Sequence, residues 1–193
     1  MIKLAVIRDN LIDLLGIEQT VFQRIDRHSK EERIKKYDQA FVMVEKIKGV
    51  LSLHIGELER HLSSIDGGFE SKLKKTASSF VDSVANIYEK LRTTEPVSRS
   101  LRDDYTLLNH AVISCGMLHT AMLAINENDI ADMARIHMTD FAQLVVELSE
   151  VIPFVLAAEL AEELNLEGGN SVAQQAVAQY REAWTQHRPS AGH

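Results

Sequence analysis

Apolar residues recur at alternating steps of three and four along four stretches of this chain, residues 4–25, 44–65, 101–122 and 130–151. That spacing places them on one face of an α-helix, the face that packs against neighbouring helices. Ionisable residues interrupt each stripe: Glu18, His54 and His61, His119, and then His137, Asp140 and Glu147. A charge on a packing face is costly unless it is paired, hydrogen-bonded or bound to a metal. The stripes therefore predict a helical fold, and the ionisable residues on them are the candidates for a functional site.

Helix-ending residues divide the chain into six predicted helices. Ser29 and Glu32 form the spacing of a capping box, which predicts that the second helix starts there and runs to about residue 64, with a bend near Gly49 or Gly56. Asp129 is the predicted cap of the fifth helix, and Pro153 is expected to kink it. The predicted ranges are 2–28, 30–64, 69–91, 97–125, 129–165 and 171–186.

This order of helices predicts an all-α fold, an antiparallel four-helix bundle with a shorter crossover helix over 69–91 and a C-terminal docking helix. The docking helix is expected to pack through Val172, Ala176, Ala183 and Trp184. Residues 1–187 are predicted to form a single domain, and residues 188–193 a flexible tail.

The composition and charge of the chain argue against some classes of function. The 193 residues carry a net charge of −7, which argues against a general nucleic-acid binder, because neutralising phosphates needs a basic face. Arg8, Asp9 and Asp13 interrupt the N-terminal apolar run, and no uninterrupted apolar window approaches the length of a membrane span. We expect a cytoplasmic protein with no membrane partner. The lone Cys115 cannot form an internal disulfide, and we expect it to be a small core hydrophobe.

Distances along the helices indicate which polar residues can meet. His119 and His137 lie nine residues either side of a turn centred near residue 128, so an antiparallel pair would place them level, with Asp140 one turn further on. A first hairpin centred near residue 29 would instead separate Glu18 from His54 by about 21 Å along the axis. We therefore expect these two residues to lie in different layers.

Two interpretations of the inward polar residues remain open. In the first, His119, His137 and Asp140 bind a metal in the core, with Glu18, His54 or Glu57 completing the set, and the metal is iron or another transition metal. In the second, the same residues form buried hydrogen-bonded pairs that set the helix register. The two Glu-x-x-His pairs of di-iron carboxylate bundles do not occur in the predicted core helices, where His54 and Glu57 have the reverse order.

Several segments of the chain are similar to bacterial ferritin-like proteins of the stress-induced type. They are residues 15–19, which would place the first ligand glutamate at Glu18, and residues 56–60 at the end of the second helix. Residues 95–110 and 115–118 are similar to the third bundle helix and the crossover before it. The resemblance covers about residues 8–160. It implies a ferritin-like bundle, but Ala111 and Val112 are apolar where a ligand glutamate is expected and His137 stands where the fourth helix should supply one. It therefore implies a di-iron centre that is lost or rebuilt.

Two functions from different classes follow. The first, which we favour at this stage, is a non-catalytic bundle that acts as a homodimer or with a protein partner, in a stress response. Its basis is the abundance of apolar positions on several faces of the predicted helix 129–165. The alternative is a metal-binding bundle with oxidase-type or metal-handling activity. A weaker third option is a pH-responsive bundle, in which protonation of inward histidines loosens the packing.

Overall fold

The computed structural model of the chain describes residues 2–65 and 95–186. Within these ranges the chain is helical, with short connections and no strand, which confirms the all-α class. The predicted crossover helix 69–91, the helix-ending residues 66–68 and the tail 188–193 lie outside the described residues. The helices are α1 (Ile2–Ser29), α2 (Glu32–Lys35), α3 (Asp38–Ile65), α4 (Val97–Ala124), α5 (Asn128–Leu164) and α6 (Gly169–Gln186).

Four long helices contact one another in a ring, in which α1 packs on α3 and α4, and α5 packs on the same two helices. Between α3 and α5, Lys46 pairs with Glu147 and His54 pairs with Asp140, so the order of the partners along α3 is the reverse of their order along α5. Helices α3 and α5 are therefore antiparallel. The sixth helix, α6, packs on the outside of α5.

The apolar stripes supply most of the core, as their period predicts. Leu11 of α1, Leu51 of α3 and Leu108 of α4 are completely buried, and Leu144 of α5 is 1% exposed. Phe141 of α5 is also completely buried, although it lies beside the predicted stripe. Each such side chain contributes about 1.5–3 kcal/mol by its removal from water. Leu4, at the start of the first stripe, is exposed.

The connection between α1 and α3 differs from the prediction. Ser29 is the last residue of α1 and its hydroxyl donates to the Asp26 carbonyl at 3.0 Å, so it caps no second helix. The short α2 follows, and α3 begins only at Asp38. The predicted capping box is wrong because the chain uses residues 30–37 for two turns and α2. From Asp38, α3 continues without interruption through Gly49 and Gly56.

The α4–α5 hairpin follows the prediction more closely. Pro96 precedes α4, which begins at Val97 as expected, and Asn126 takes a left-handed φ of 56° in the turn. Glu127, one residue before α5, is its N-cap, in place of the predicted Asp129. Helix α5 continues through Pro153 and ends at Leu164. The next residue, Asn165, has a left-handed backbone conformation and is the C-cap.

Helix α6 docks with a different face from the predicted one. Ala173 and Val177, four residues apart, are its buried residues, whereas Val172, Ala183 and Trp184 are exposed. Small side chains let α6 approach α5 closely, and a Cβ added at Gly169 would lie 3.1 Å from the Ala157 carbonyl oxygen. Close backbone packing at this end therefore sets the rotation of α6.

Among the described residues, α4 is long and apolar enough, by length and composition, to cross a membrane. The core helix of a soluble protein meets the same criterion. In the structure α4 packs against α1 and α5, with Leu101, Cys115 and Met122 completely buried.

Candidate metal centre

A polar cluster lies inside the ring of helices, and each of the four helices contributes to it. Its members, which we call the central cluster, are Glu18 of α1, His54 and Glu57 of α3, Cys115 of α4, and His137 and Asp140 of α5. Glu18, Cys115 and His137 are completely buried. Asp140 and Glu57 lie at the edge of the cluster and are partly exposed.

His137 is held between two carboxylates. Its Nδ1 lies 3.1 Å from Glu18 Oε1, and its Nε2 lies 3.2 Å from Glu57 Oε2. A carboxylate accepts hydrogen bonds, so both ring nitrogens donate when the imidazole is protonated. Burial by itself lowers the pKa of His137, but the hydrogen bonds and charges of Glu18 and Glu57 outweigh burial and raise that pKa above its usual value.

His54 lies against His137 in the opposite electrostatic situation. Its Nε2 is 3.0 Å from Asp140 Oδ2, and Phe141 packs edge-on to its ring at a centroid distance of 4.9 Å. Burial, followed by the charge of His137, lowers the pKa of His54 to about 4, although Asp140 and Glu57 act in the other direction. His54 is therefore a neutral imidazole at pH 7, and its Nδ1 is buried without a hydrogen-bond partner.

Glu18 and Cys115 both favour their protonated forms in this environment. Burial raises the pKa of Glu18, against the hydrogen bond from His137, and burial also raises the pKa of the Cys115 thiol, assisted by the charge of Glu18. One carboxylate oxygen of Glu18, Oε2, is buried with no partner. Buried polar atoms in folded proteins almost always have a partner, and an ion is one of the explanations for an exception.

Glu18, Cys115 and His137 each place one ligand atom within 4.8 Å of the others. These atoms are a carboxylate oxygen, a sulfur and an imidazole nitrogen, and they come from three different helices. Such a mixed set suits zinc and late first-row transition metals, whereas magnesium and calcium favour oxygen ligands alone.

The structure brings together five of the six predicted site residues, namely Glu18, His54, Glu57, His137 and Asp140. The sixth, His119, forms no hydrogen bond with any of them. Its Nδ1 lies 2.8 Å from the Ala131 carbonyl oxygen, across the α4–α5 hairpin. His119 is therefore anchored by the backbone of α5.

The expectation that Glu18 and His54 lie in different layers is wrong, because both contact His137. The later start of α3 is the reason. The ion pair between Asp26 and Lys48 shows that the hairpin is centred near residue 37 and not near residue 29. The shift moves the level partner of Glu18 along α3 to the segment that carries His54 and Glu57.

Cys115 is a buried core residue, as predicted. Its position beside Glu18 and His137 was not predicted. The groups that surround it come from α1 and α5, which the sequence does not reveal. Its place on the stripe 101–122 was the available signal.

A second buried polar group lies between α1 and α4 and was also missed. Asp104 is completely buried, and its two oxygens accept from Arg24 Nε at 2.8 Å and from His28 Nδ1 at 2.7 Å. The carboxylate is fully occupied by these two partners. We interpret it as a structural contact that joins the ends of the two helices.

No protein-family model matches this chain, and neither a curated protein nor a solved structure matches it. The ferritin-like resemblance therefore remains a prediction.

Proposed function

We propose that this chain is a cytoplasmic, ferritin-like four-helix bundle that binds one transition-metal ion at its centre through Glu18, Cys115 and His137. The observation that carries the proposal is the convergence of these three buried ligand atoms within 4.8 Å. The unpartnered Glu18 Oε2 supports it, because a metal ion would satisfy that atom.

The charges of the three ligands suit a divalent ion. A carboxylate and a thiolate supply two negative charges, and neutral imidazole adds a ligand without charge. Without metal, burial favours the protonated forms of Glu18 and Cys115. Metal binding must then displace protons, so affinity should fall as the pH falls. Glu57 and His54 lie next to His137 and are the candidates for a fourth ligand.

The burial of the ligands bears on the type of activity. Glu18, Cys115 and His137 have no contact with bulk solvent. Closed sites of this kind hold a metal for structure or storage, whereas catalytic sites keep one coordination position open. We therefore favour metal handling or a metal-stabilised fold over an oxidase, and propose no enzymatic step.

The test is metal loading of the apoprotein with Zn(II), Fe(II) or Co(II), followed by elemental analysis. We expect about one equivalent of bound metal, a raised Tm, and release of protons on binding, because Cys115 and the Glu18–His137 pair lose protons when they become ligands. Co(II) should show sulfur-to-cobalt charge-transfer absorption, which Cys115→Ala should abolish.

Glu18→Gln should weaken binding, and the exposed His110→Gln is the matched control that should leave it unchanged. Less than about a tenth of an equivalent of every metal tested, with no change in Tm, would exclude the proposal.

Association of two copies is the second candidate function. Much of the apolar surface that suggested it is used within the fold, because α5 packs against α3, α4 and α6. What remains are exposed side chains such as Leu53, which is 75% exposed, Val42, Ile113 and Met117. We propose a homodimer, or a complex with a protein partner in a stress response, through such exposed apolar side chains. Light scattering during size-exclusion chromatography tests self-association, and a monomer at high concentration would contradict it.

A further inference from the structure

A cavity of about 740 Å³ opens between α4, α5 and α6 and shares no residue with the central cluster. Its volume lies in the range of small-molecule sites, which is roughly 300–1,000 Å³. Three apolar side chains of α5 form its floor, Ile152, Leu156 and Leu160, and aromatic side chains of the neighbouring helices form its walls, Tyr105, Tyr180 and Trp184. We call this cavity the α6 groove.

The apolar side chains of the groove are exposed to solvent within the described part of the chain. Trp184 is 54% exposed and Tyr180 is 47% exposed, and Leu156 and Leu160 are also exposed. Single exposed apolar residues are ordinary in folded proteins, but several of them lining one concave surface indicate a binding site. The groove therefore offers an apolar ligand a large contact area.

The charged groups of the groove are not equivalent. Arg99 and Arg102 project from α4, and Arg102 donates to its neighbour Asp103 at 3.0 Å. The backbone N–H of Arg99 donates to the Pro96 carbonyl, but its guanidinium has no ion pair or hydrogen bond within residues 2–65 and 95–186. Across the groove, Glu159 accepts from the backbone N–H and the hydroxyl of Ser98.

Glu163 is a second carboxylate in the wall, at an exposed position of α5. The acidic pair Glu159 and Glu163 would repel a ligand that carries several negative charges. Arg99 is left as a guanidinium that can receive a single carboxylate, for which its planar fork is well shaped.

From these observations we propose that the α6 groove binds an amphipathic monocarboxylate, a ligand with one carboxylate and an acyl-type apolar chain. The carboxylate pairs with Arg99 at the α4 wall. The apolar chain lies along Ile152 and Leu156 and against the ring of Trp184. The proposal is independent of metal binding, because the two sites have no residue in common.

Trp184 is the only tryptophan in the chain and lies in the groove, so its fluorescence reports occupancy. We would titrate the full chain with dodecanoate, dodecanol and dodecylamine, each below its micelle concentration. We expect a saturable change with dodecanoate and weaker binding of both the neutral alcohol and the amine, neither of which can accept hydrogen bonds from Arg99 as a carboxylate does. Arg99→Gln should weaken dodecanoate about tenfold and leave dodecanol unchanged, because it removes only the charged hydrogen bonds.

Two controls separate a specific effect from a general one. Arg8→Gln removes an exposed arginine of α1 outside the groove and should leave dodecanoate binding unchanged. Trp184→Phe, followed by calorimetry, detects binding without fluorescence. Equal affinity for the three probes, an Arg99→Gln variant that binds like the original chain, or absence of saturable binding by both methods would overturn the proposal. So would a ligand-free fluorescence change that tracks a doubling of mass in light scattering, because a second copy would then occupy the groove.

Discussion

The imidazole rings of His54 and His137 lie stacked, with their centroids 3.7 Å apart and their planes within 5° of parallel. Two positively charged rings at this distance would repel each other strongly. The surrounding residues give the two rings different pKa values. Burial lowers the pKa of His137, but Glu18 and Glu57 outweigh burial and raise it, whereas burial and the charge of His137 lower the pKa of His54 to about 4. His137 therefore binds a proton more readily than a free imidazole does, whereas His54 is neutral at pH 7.

This difference between the two pKa values predicts that His54 contributes to the stability of the fold in a way that is lost in acid. Its pKa is about 4 in the folded state and 6.5 in a model peptide, so the unfolded chain binds more protons between these values. The contribution of His54 to stability is complete above pH 6.5 and is lost as the pH falls toward 4. After allowance for screening near the exposed Asp140, we expect about 1 kcal/mol, or about 2–4 °C in Tm.

The measurement is the difference in Tm between pH 6.5 and pH 4.5 for the original chain and for His54→Asn. The variant should lose less stability on acidification, and His110→Asn should behave like the original chain. Glu18 and His137 have raised pKa values and contribute with the opposite sign, so only this comparison isolates His54. An identical loss in His54→Asn and in the original chain would contradict the prediction.

The contact between Glu18 and His137 predicts a strong non-additivity in the apoprotein. His137→Leu removes the partner of a completely buried carboxyl group and should cost about 3–5 kcal/mol. Glu18→Leu combined with His137→Leu replaces the pair by apolar side chains and should return stability to within about 1 kcal/mol of the original chain. Urea unfolding without metal measures both. A double variant as unstable as the sum of His137→Leu and Glu18→Leu, each measured alone, would contradict the predicted coupling.

Asp104 lies outside the metal centre, and its two buried contacts predict that its removal strongly destabilises the fold. Asp104→Ala leaves Arg24 and His28 without their shared acceptor and should lower the free energy of unfolding by about 3–5 kcal/mol. Asp9→Ala, at an exposed carboxylate of α1, should change it by less than about 0.5 kcal/mol. Metal stoichiometry should be unchanged in Asp104→Ala at temperatures where it is folded. A loss of stability no greater than that of Asp9→Ala would show that Asp104 contributes little.

Two glycines predict opposite effects of the same substitution. A Cβ at Gly169 would lie 3.1 Å from the backbone oxygen of Ala157, so Gly169→Ala requires the two backbones to separate by a few tenths of an ångström, and we expect it to destabilise the docking of α6 by about 1–3 kcal/mol. A Cβ at Gly56 meets nothing within 4 Å, and Gly56→Ala should stabilise α3 by about 1 kcal/mol. Hydrogen exchange of the α6 amides, together with Tm, distinguishes the two. Unchanged protection of α6 in Gly169→Ala would contradict the close packing.

The sequence alone predicted the helical class and most of the candidate residues, because both depend on local spacing along the chain. Apolar spacing reports directly which residues share a helix face, so Glu18, His54 and His137 could be recognised as inward groups. The α4–α5 hairpin was also predictable, because Pro96 and the polar turn around Asn126 mark its ends within a residue or two.

The composition of the central cluster was decided only by the tertiary structure. The spacing of apolar residues does not show how far along its axis one helix lies against another. Because α2 lies between α1 and α3, α3 begins later than predicted, and His54 and Glu57 lie level with Glu18. Cys115 lies in the cluster because α4 packs against α1 and α5, and His119 contacts the Ala131 carbonyl oxygen across the α4–α5 hairpin. A helix face follows from local spacing along the chain, whereas the register between helices follows from the packing of the whole molecule.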